Sequence, residues 1–223
     1  MKLHYYIYLA LILCGCNDFL EYKDKDKLIP KELDHYNELI YGELIKKADG
    51  GELQYLDVMS DETDSYVKPL GTLTRVDDRK NLFKYYTWAQ QTQVTVEGSD
   101  NNDNNWAYFY HKILMCNIIE HDVNQFENDI EGVKNRLLGE VCFLRAMSYY
   151  FLVNLYGEPY RDKEQAKTAA GVPINDAISV EIKKYTRATL AEIYTLIETD
   201  LNNSITYLEK GEQLNSTFRP NVH

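Results

Sequence analysis

The sequence predicts an all-α fold: stacked antiparallel helix pairs joined by long irregular loops. Apolar residues recur at helical spacing in four segments, helix-opening and helix-ending residues bracket those segments, and no alternating run is strong enough to define a sheet. The 223 residues suit one or two compact domains, and 44% hydrophobic content supplies a genuine core. Only 11 Gly and 5 Pro are present, which excludes collagen-like and fully disordered classes. The 19 tyrosines suit helix packing and also contact surfaces for sugars or peptides, because each buries a ring while keeping a hydroxyl available. A net charge of −11 repels phosphate backbones, so nucleic-acid binding has no electrostatic support.

Pro30 opens the first helical segment, in which Leu33, Tyr36, Ile40 and Leu44 share a face. The second begins near Asn105 and carries Trp106, Phe109, Tyr110, Ile113, Asn117 and Ile118. The third runs from Glu131 to Tyr156 with Leu137, Val141, Leu144, Ser148, Phe151 and Leu155 as its stripe. From Val141 onward it is apolar almost all round, which predicts the most buried helix, and Gly157 and Pro159 stop it. In the fourth, Thr189 and Glu192 can form a capping box. Leu190, Ile193, Tyr194, Ile197, Leu201, Ile205 and Leu208 make its apolar face, and Gly211 ends it. The stretches from Val58 to Ser99 and from Gly157 to Tyr185 read as long irregular loops of the kind that usually carry function. Gln93 to Glu97 is compatible with one short strand.

The N-terminus reads as an address. Met1-Lys2 precedes the apolar run Leu3 to Leu13, and Leu13-Cys14-Gly15-Cys16 resembles a bacterial lipobox. Residues 1–15 are then a lipoprotein signal peptide, Cys16 is the acylated residue, and residues 16–29 form a charged tether around Lys23-Asp24-Lys25-Asp26-Lys27. Several acyl chains, at about 0.8 kcal/mol per buried methylene, hold a protein on a membrane where one chain is marginal. No apolar run reaches the roughly 20 residues that cross a bilayer. Cys116 and Cys142 remain, and they read as buried free thiols rather than a disulfide, since nothing in their spacing positions them together.

Catalytic and metal signatures are thin. Asp100, Asn102 and Asn104 alternate as in a calcium loop, but Asn105 stands where glycine is needed and His111 where the bidentate glutamate belongs, so a solvated loop is expected. Asp61-Glu62-Thr63-Asp64 clusters carboxylates, which fits loop capping better than acid–base catalysis. The five histidines show no metal spacing, and the serine-hydrolase and phosphate-loop motifs are absent, so no cofactor is expected. Aromatics are the better lead, because flat rings stack on sugar faces. Trp106 and Tyr110 sit on a helical period and read as core, whereas Tyr66 and Trp88 fall in loop sequence, where core packing and ligand contact are about equally open.

Read together, several segments are similar to the SusD/RagB family of outer-membrane lipoproteins of Bacteroidetes. These are Cys16-Asn17-Asp18-Phe19-Leu20, Tyr86-Thr87-Trp88, and Trp106-(x)3-Tyr110-(x)2-Ile113-(x)3-Asn117. Gly139 to Ala146, Phe151 to Pro159, Gly171-Val172-Pro173-Ile174 and Arg187-Ala188-Thr189 followed by Asp200-Leu201 complete the set. The resemblance implies a scaffold of tetratricopeptide-like helix pairs over residues 30–223, with no catalysis. It further implies a lipid-anchored outer-membrane protein, facing the cell exterior, that binds glycan nutrients and passes them to a TonB-dependent transporter. Asp61, Tyr66, Arg75 and Trp88 are the candidate ligand contacts, and Arg145, Ala146 and Tyr150 are expected to pack the scaffold, with Arg145 in a buried charge network. A peptide-binding member, or a helical scaffold that only docks on the transporter, are the alternatives. Family members are roughly twice as long, and Phe218-Arg219-Pro220-Asn221 looks like the start of a further helix, so the chain reads as an N-terminal portion.

Overall fold

The computed structural model describes residues 30, 32–45, 54–61, 84–90, 104–127, 132–180 and 182–213. Residues 1–29, where the signal peptide, the acylated Cys16 and the tether are expected, lie outside the described residues, as does Gln93 to Glu97. All elements described here belong to the unit Glu32–His223. Helix α1 (Leu33–Leu39) runs into a π-helical turn at Ile40–Ile45, followed by a short α2 (Gln54–Met59). Helices α3 (Asn105–Asn124), α4 (Val133–Tyr156) and α6 (Leu190–Lys210) form the scaffold. Between α4 and α6 lie a single turn, α5 (Lys163–Ala166), and two strands, β1 (Ala170–Pro173) and β2 (Arg187–Thr189).

Helix α4 is the middle member of two antiparallel pairs. Against α3, Tyr156 meets Trp106, Phe151 stacks on Phe109, and Arg145 reaches Asn117, so the two chains run in opposite directions. Against α6, Gly139 faces Leu208, Arg145 meets Asp200, and Gly157 lies near Leu190, again antiparallel. A helix flanked on both sides has no solvent stripe to spare, which is why α4 buries more residues than any other described helix. Gly139 permits the close approach: a Cβ there would sit 2.6 Å from Leu208 Cγ and 3.1 Å from its backbone nitrogen. Ser204 Oγ donates to the Gly139 carbonyl at 2.7 Å across the same seam. Gly132, at φ 81°, starts α4 in the left-handed region, where a Cβ would meet Glu212 N at 2.7 Å.

The apolar interior divides into two clusters. One gathers Phe109, Ile113, Tyr149, Leu152, Leu190 and Ile193 around the α3–α4–α6 seam. The other packs Leu33, Tyr36, Ile40 and Leu44 against Cys116, Ile119, Leu137 and Val141, so the first helix closes the far end of the α3–α4 pair. Each fully buried Ile or Leu contributes about 1.5–3 kcal/mol relative to exposure. Tyr36 adds an edge-to-face contact with Phe126 at 5.9 Å and donates from its hydroxyl to Asp122 at 3.2 Å.

Several expectations shift. The buried face of α6 is Leu190, Ile193, Ile197, Asp200, Ser204 and Leu208, and Ile205 is 52% exposed. The reason is that Asp200 is drawn inward by Arg145 and small Ser204 lets α4 approach, so polar residues hold core positions. On α3 Ile119 rather than Ile118 is buried, with Ile118 on the flank. Asn105, near which the second helical segment is expected to begin, is the first residue of α3 and is buried. Tyr150 is exposed rather than packed into the scaffold. The stretch from Gly157 to Tyr185 is less irregular than expected. It holds α5, capped by Asp162, whose carboxylate accepts from Glu164 N and Gln165 N, and it contributes to a two-stranded antiparallel sheet. Ala170 pairs with Thr189 and Pro173 with Arg187, leaving one extra residue on β1 as a bulge. The capping box at Thr189 and Glu192 forms as the sequence indicates.

Candidate functional site

Residues 174–186 connect β1 to β2, and the Pro173 nitrogen has no proton with which to extend the ladder. The connection is held instead by side chains from the helices beneath it. Tyr110 of α3 donates to the Pro173 carbonyl at 2.6 Å. Burial, then the neighbouring Tyr149, push the Tyr110 pKa up despite the opposing charge of Arg187, so the phenol remains a neutral donor. Asn117 Nδ2 donates to the carbonyls of Asn175 at 2.8 Å and Ala177 at 3.1 Å. Tyr149 accepts from Asn175 N at 2.9 Å and donates to the Asn175 carbonyl at 3.3 Å.

The result is a cleft of about 390 Å³ lined by Trp106, Tyr110, Pro173, Asn175 and Tyr185. Trp106 packs against Tyr110 at 4.9 Å and edge-on to Tyr156 at 5.1 Å, and the Arg187 guanidinium lies 6.0 Å from its ring. Arg187 is itself anchored, donating to the carbonyls of Tyr156 and Gly171 at 2.7 Å each. Tyr185 forms the outer wall and donates from its hydroxyl to Asn175 Oδ1 at 3.1 Å. Aromatic faces with an amide and hydroxyls at the edge suit a ligand with a flat apolar face and hydroxyl groups around it.

A second cavity of about 330 Å³ lies on the other side of Asn175, with Asn117, Glu120, Arg145, Tyr149 and Asp176 in its lining. Arg145 is its charged centre. Its Nε and Nη2 meet the two Asp200 oxygens at 2.8 and 2.6 Å, and Nη1 donates to Asn117 Oδ1 at 3.1 Å and to Glu120. Burial acts to lower the Arg145 pKa, and the hydrogen bonds and charges of Asp200 and Glu120 more than reverse that, leaving it raised and the group fully charged. This is the buried charge network expected of Arg145.

The candidate ligand contacts fall elsewhere. Asp61 is exposed in the turn after α2, and Trp88 is 69% exposed with φ 51°, a left-handed conformation costly for a bulky side chain. Trp88 follows a helical turn in which Tyr85 stacks on Tyr55 at 4.8 Å, and its N–H donates to the Tyr85 carbonyl at 3.0 Å. Neither residue lines either cavity. Tyr66 and Arg75 lie outside the described residues. Trp106 and Tyr110, read as core, are half-buried and serve both the core and the cleft. Asn175 and Tyr185 were not singled out; a tyrosine in a loop beside Gly171-Val172-Pro173-Ile174 was the available signal.

The architecture is a scaffold of antiparallel helix pairs with a loop-walled aromatic cleft. A family model described as starch-binding and associating with the outer membrane, SusD-like, matches residues 18–222. The chain belongs to the SusD-like family. It is 27% identical over 161 residues to the SusD-like protein P25 of Formosa agariphila, covering 69% of this chain and 29% of that protein. A Bacteroides vulgatus structure described as a candidate sugar-binding protein superposes with a TM-score of 0.59 at 27% identity, covering 78% of this chain and 36% of that one. A SusD superfamily protein of Bacteroides thetaiotaomicron shares the fold with a TM-score of 0.54 at 20% identity, over 85% and 38%. The chain thus spans roughly a third of the length of these relatives.

Proposed function

We propose that this chain is the helical portion of a non-catalytic surface lipoprotein that binds glycans and delivers them to a TonB-dependent outer-membrane transporter. Lipid attachment at Cys16 and an outward-facing position complete the reading. The observation that carries it is the cleft of Trp106, Tyr110, Asn175 and Tyr185 on a SusD-like scaffold. Its rings supply stacking faces, and Asn175 and Tyr185 supply groups that exchange hydrogen bonds with sugar hydroxyls. Asp61, Tyr66, Arg75 and Trp88 are proposed as further contacts, with the exposed indole of Trp88 as a separate stacking platform.

Calorimetric titration of the purified chain with a panel of oligosaccharides, and of peptides as the competing ligand class, tests this. Tyr185→Ala is expected to weaken oligosaccharide binding about tenfold, the loss of one good aromatic contact. Trp88→Ala should weaken it only if the second platform is used by the same ligand. A Tyr185→Ala protein that binds as tightly as wild type would exclude the cleft. The scaffold-only alternative has one observation in its favour: Ile178, Val180 and Ile182 stand exposed in the connection that carries Tyr185, as a protein-docking surface would. Absence of saturable binding to every ligand, with retained binding to the transporter, would select it.

A further inference from the structure

The cleft wall is not a self-supporting strand. Beyond Pro173 the backbone of 174–177 carries no ladder, and the Asn175 N–H and the carbonyls of Asn175 and Ala177 are met by side chains of α3 and α4. We infer that Asn117 and Arg145 are positioning residues for the cleft: Arg145 fixes the sense of the Asn117 amide, and that amide holds the backbone from which Asn175 and Tyr185 form the wall. This rests on the ligand reading of the cleft given above.

A primary amide has two N–H donors and one carbonyl acceptor. At Asn117, Nδ2 meets two loop carbonyls, and Oδ1 accepts from Arg145 Nη1. Reversing the amide would set its oxygen against the carbonyls of Asn175 and Ala177 and its donors against a guanidinium that has nothing to accept with. The reversed state therefore loses three hydrogen bonds at once. Arg145 enforces this only because its own plane is fixed. Two parallel bonds to Asp200 of α6 lock the fork, which aims Nη1 at Asn117 and Glu120 of α3. The support passes from α6 to α4 to α3 and then to the loop.

At the loop the hold is transmitted to the wall. Asn175, fixed through its backbone by Asn117 and Tyr149, accepts on Oδ1 from Ala177 N at 3.0 Å and from the Tyr185 hydroxyl at 3.1 Å. Tyr185 is ten residues on in sequence, and its hydroxyl ties its ring to Asn175 while Lys183 Nζ lies 5.2 Å from the ring centroid. A lysine at 145 would keep a charge but is a point donor, unable to bridge Asp200 while orienting the amide.

The test pairs hydrogen exchange with oligosaccharide titration on the full chain. In Asn117→Ala, exchange at the amides of Asn175 and Ala177 is expected to rise about tenfold or more, the local equivalent of losing two hydrogen bonds. Amides in the middle of α4 and α6 should stay within about twofold of wild type, and oligosaccharide affinity should fall about fivefold. Tyr149→Phe, which keeps the ring and removes only the hydroxyl, should give the same local signature, and Arg145→Lys should follow it. Unchanged exchange at 174–178 in both Asn117→Ala and Tyr149→Phe overturns the inference, as does acceleration spread equally through α4 and α6. A wild-type chain that binds no oligosaccharide overturns the ligand reading, and with it the positioning role, whatever the exchange at 174–178 shows.

Discussion

Helix α4 carries two ion-paired arginines, Arg136 buried and Arg145 partly buried, and the regions around them differ in what they support. Arg136, toward the N-terminal end, meets Glu140 at 3.1 Å, Glu212 at 2.8 Å and the Asn37 amide at 3.2 Å. It joins α1, α4 and the segment after α6, closing the scaffold where α6 ends. Arg145 likewise gathers two carboxylates and an amide, from α3 and α6. The chemistry of the nodes is nearly the same. The difference is downstream: the amide at the Arg145 node spends both donors on the 174–177 backbone. Burial and pairing of an arginine therefore do not reveal whether it serves the fold or a site. What its partners hold next does.

The largest effects come from removing either arginine alone. Arg136→Met takes the Arg136 charge away from Glu140, which is wholly buried, and Arg145→Met takes the Arg145 charge away from Asp200. Each is expected to cost about 3–5 kcal/mol in urea unfolding. The informative variants are the paired replacements Arg136→Met with Glu140→Leu, and Arg145→Met with Asp200→Leu. Apolar substitution of a whole buried pair is often neutral, so both should return to within about 1–2 kcal/mol of wild type. Only the second should leave the 174–178 amides exchanging fast. Recovery of loop protection in that variant would mean the two nodes are equivalent.

A smaller, pH-dependent effect sharpens the comparison from the side of the thiols. Cys116 and Cys142 are buried and free, and desolvation raises each pKa to about 12, with Arg145 opposing the shift in both. In the unfolded chain a thiol ionises near pH 8.5. Stability is therefore unaffected below about pH 8.5 and falls above it, by about 1.4 kcal/mol per pH unit for each thiol, until the folded value is reached. Tyr36 and Tyr149, also raised to about 12 chiefly by burial, add to the slope above about pH 10. Unfolding between pH 9 and 10 should lose half its slope in Cys116→Ala. Because the Arg145 charge favours the thiolate at both sites, its removal should raise their pKa further and slow their labelling by a thiol reagent relative to removal of Arg136. Equal labelling in the two variants would place the thiols outside the Arg145 node.

These distinctions also mark what sequence alone makes legible. The periods of α3, α4 and α6, the stop at Gly157 and the capping box at Thr189 are local signals, and the structure follows them. Strands of four and three residues are too short for alternation to register, so β1 and β2 emerge only from pairing across the 174–186 connection. The α6 face was misread at Ile205 because hydropathy cannot see that Asp200 and Ser204 have partners on α4. The site was harder still. Trp106 and Tyr110 are visible as packing residues, but their second use depends on Asn175 and Tyr185, brought to them from a distant part of the sequence through Asn117 of the same helix and Tyr149 of α4. Loop aromatics such as Trp88 stand out in sequence because nothing explains them, whereas a half-buried ring with two roles does not.

The smallest expected effect lies at the start of α6, beside β2 and apart from either arginine. Thr189 accepts from Glu192 N at 3.2 Å, and the Glu192 carboxylate accepts from Thr189 N at 2.7 Å and from its hydroxyl at 2.8 Å. Those backbone and side-chain hydrogen bonds from Thr189 lower the Glu192 pKa, so its contribution is present above the ordinary glutamate value and lost as pH falls through the folded value. Thr189→Ala should cost about 1 kcal/mol at neutral pH, the usual worth of an N-cap. In acid, where Glu192 is protonated in wild type too, the difference between the proteins should narrow. The cap closes the helix end at which Leu190 N donates to the Ala169 carbonyl, so exchange should quicken in the first turn of α6. Exchange at 174–178 should not change, because that backbone hangs from α3 and α4. If the cap variant loosened 174–178 as much as Asn117→Ala does, the wall would be held by the β1–β2 sheet and not by the Arg145 node, and the contrast between the two arginines would disappear.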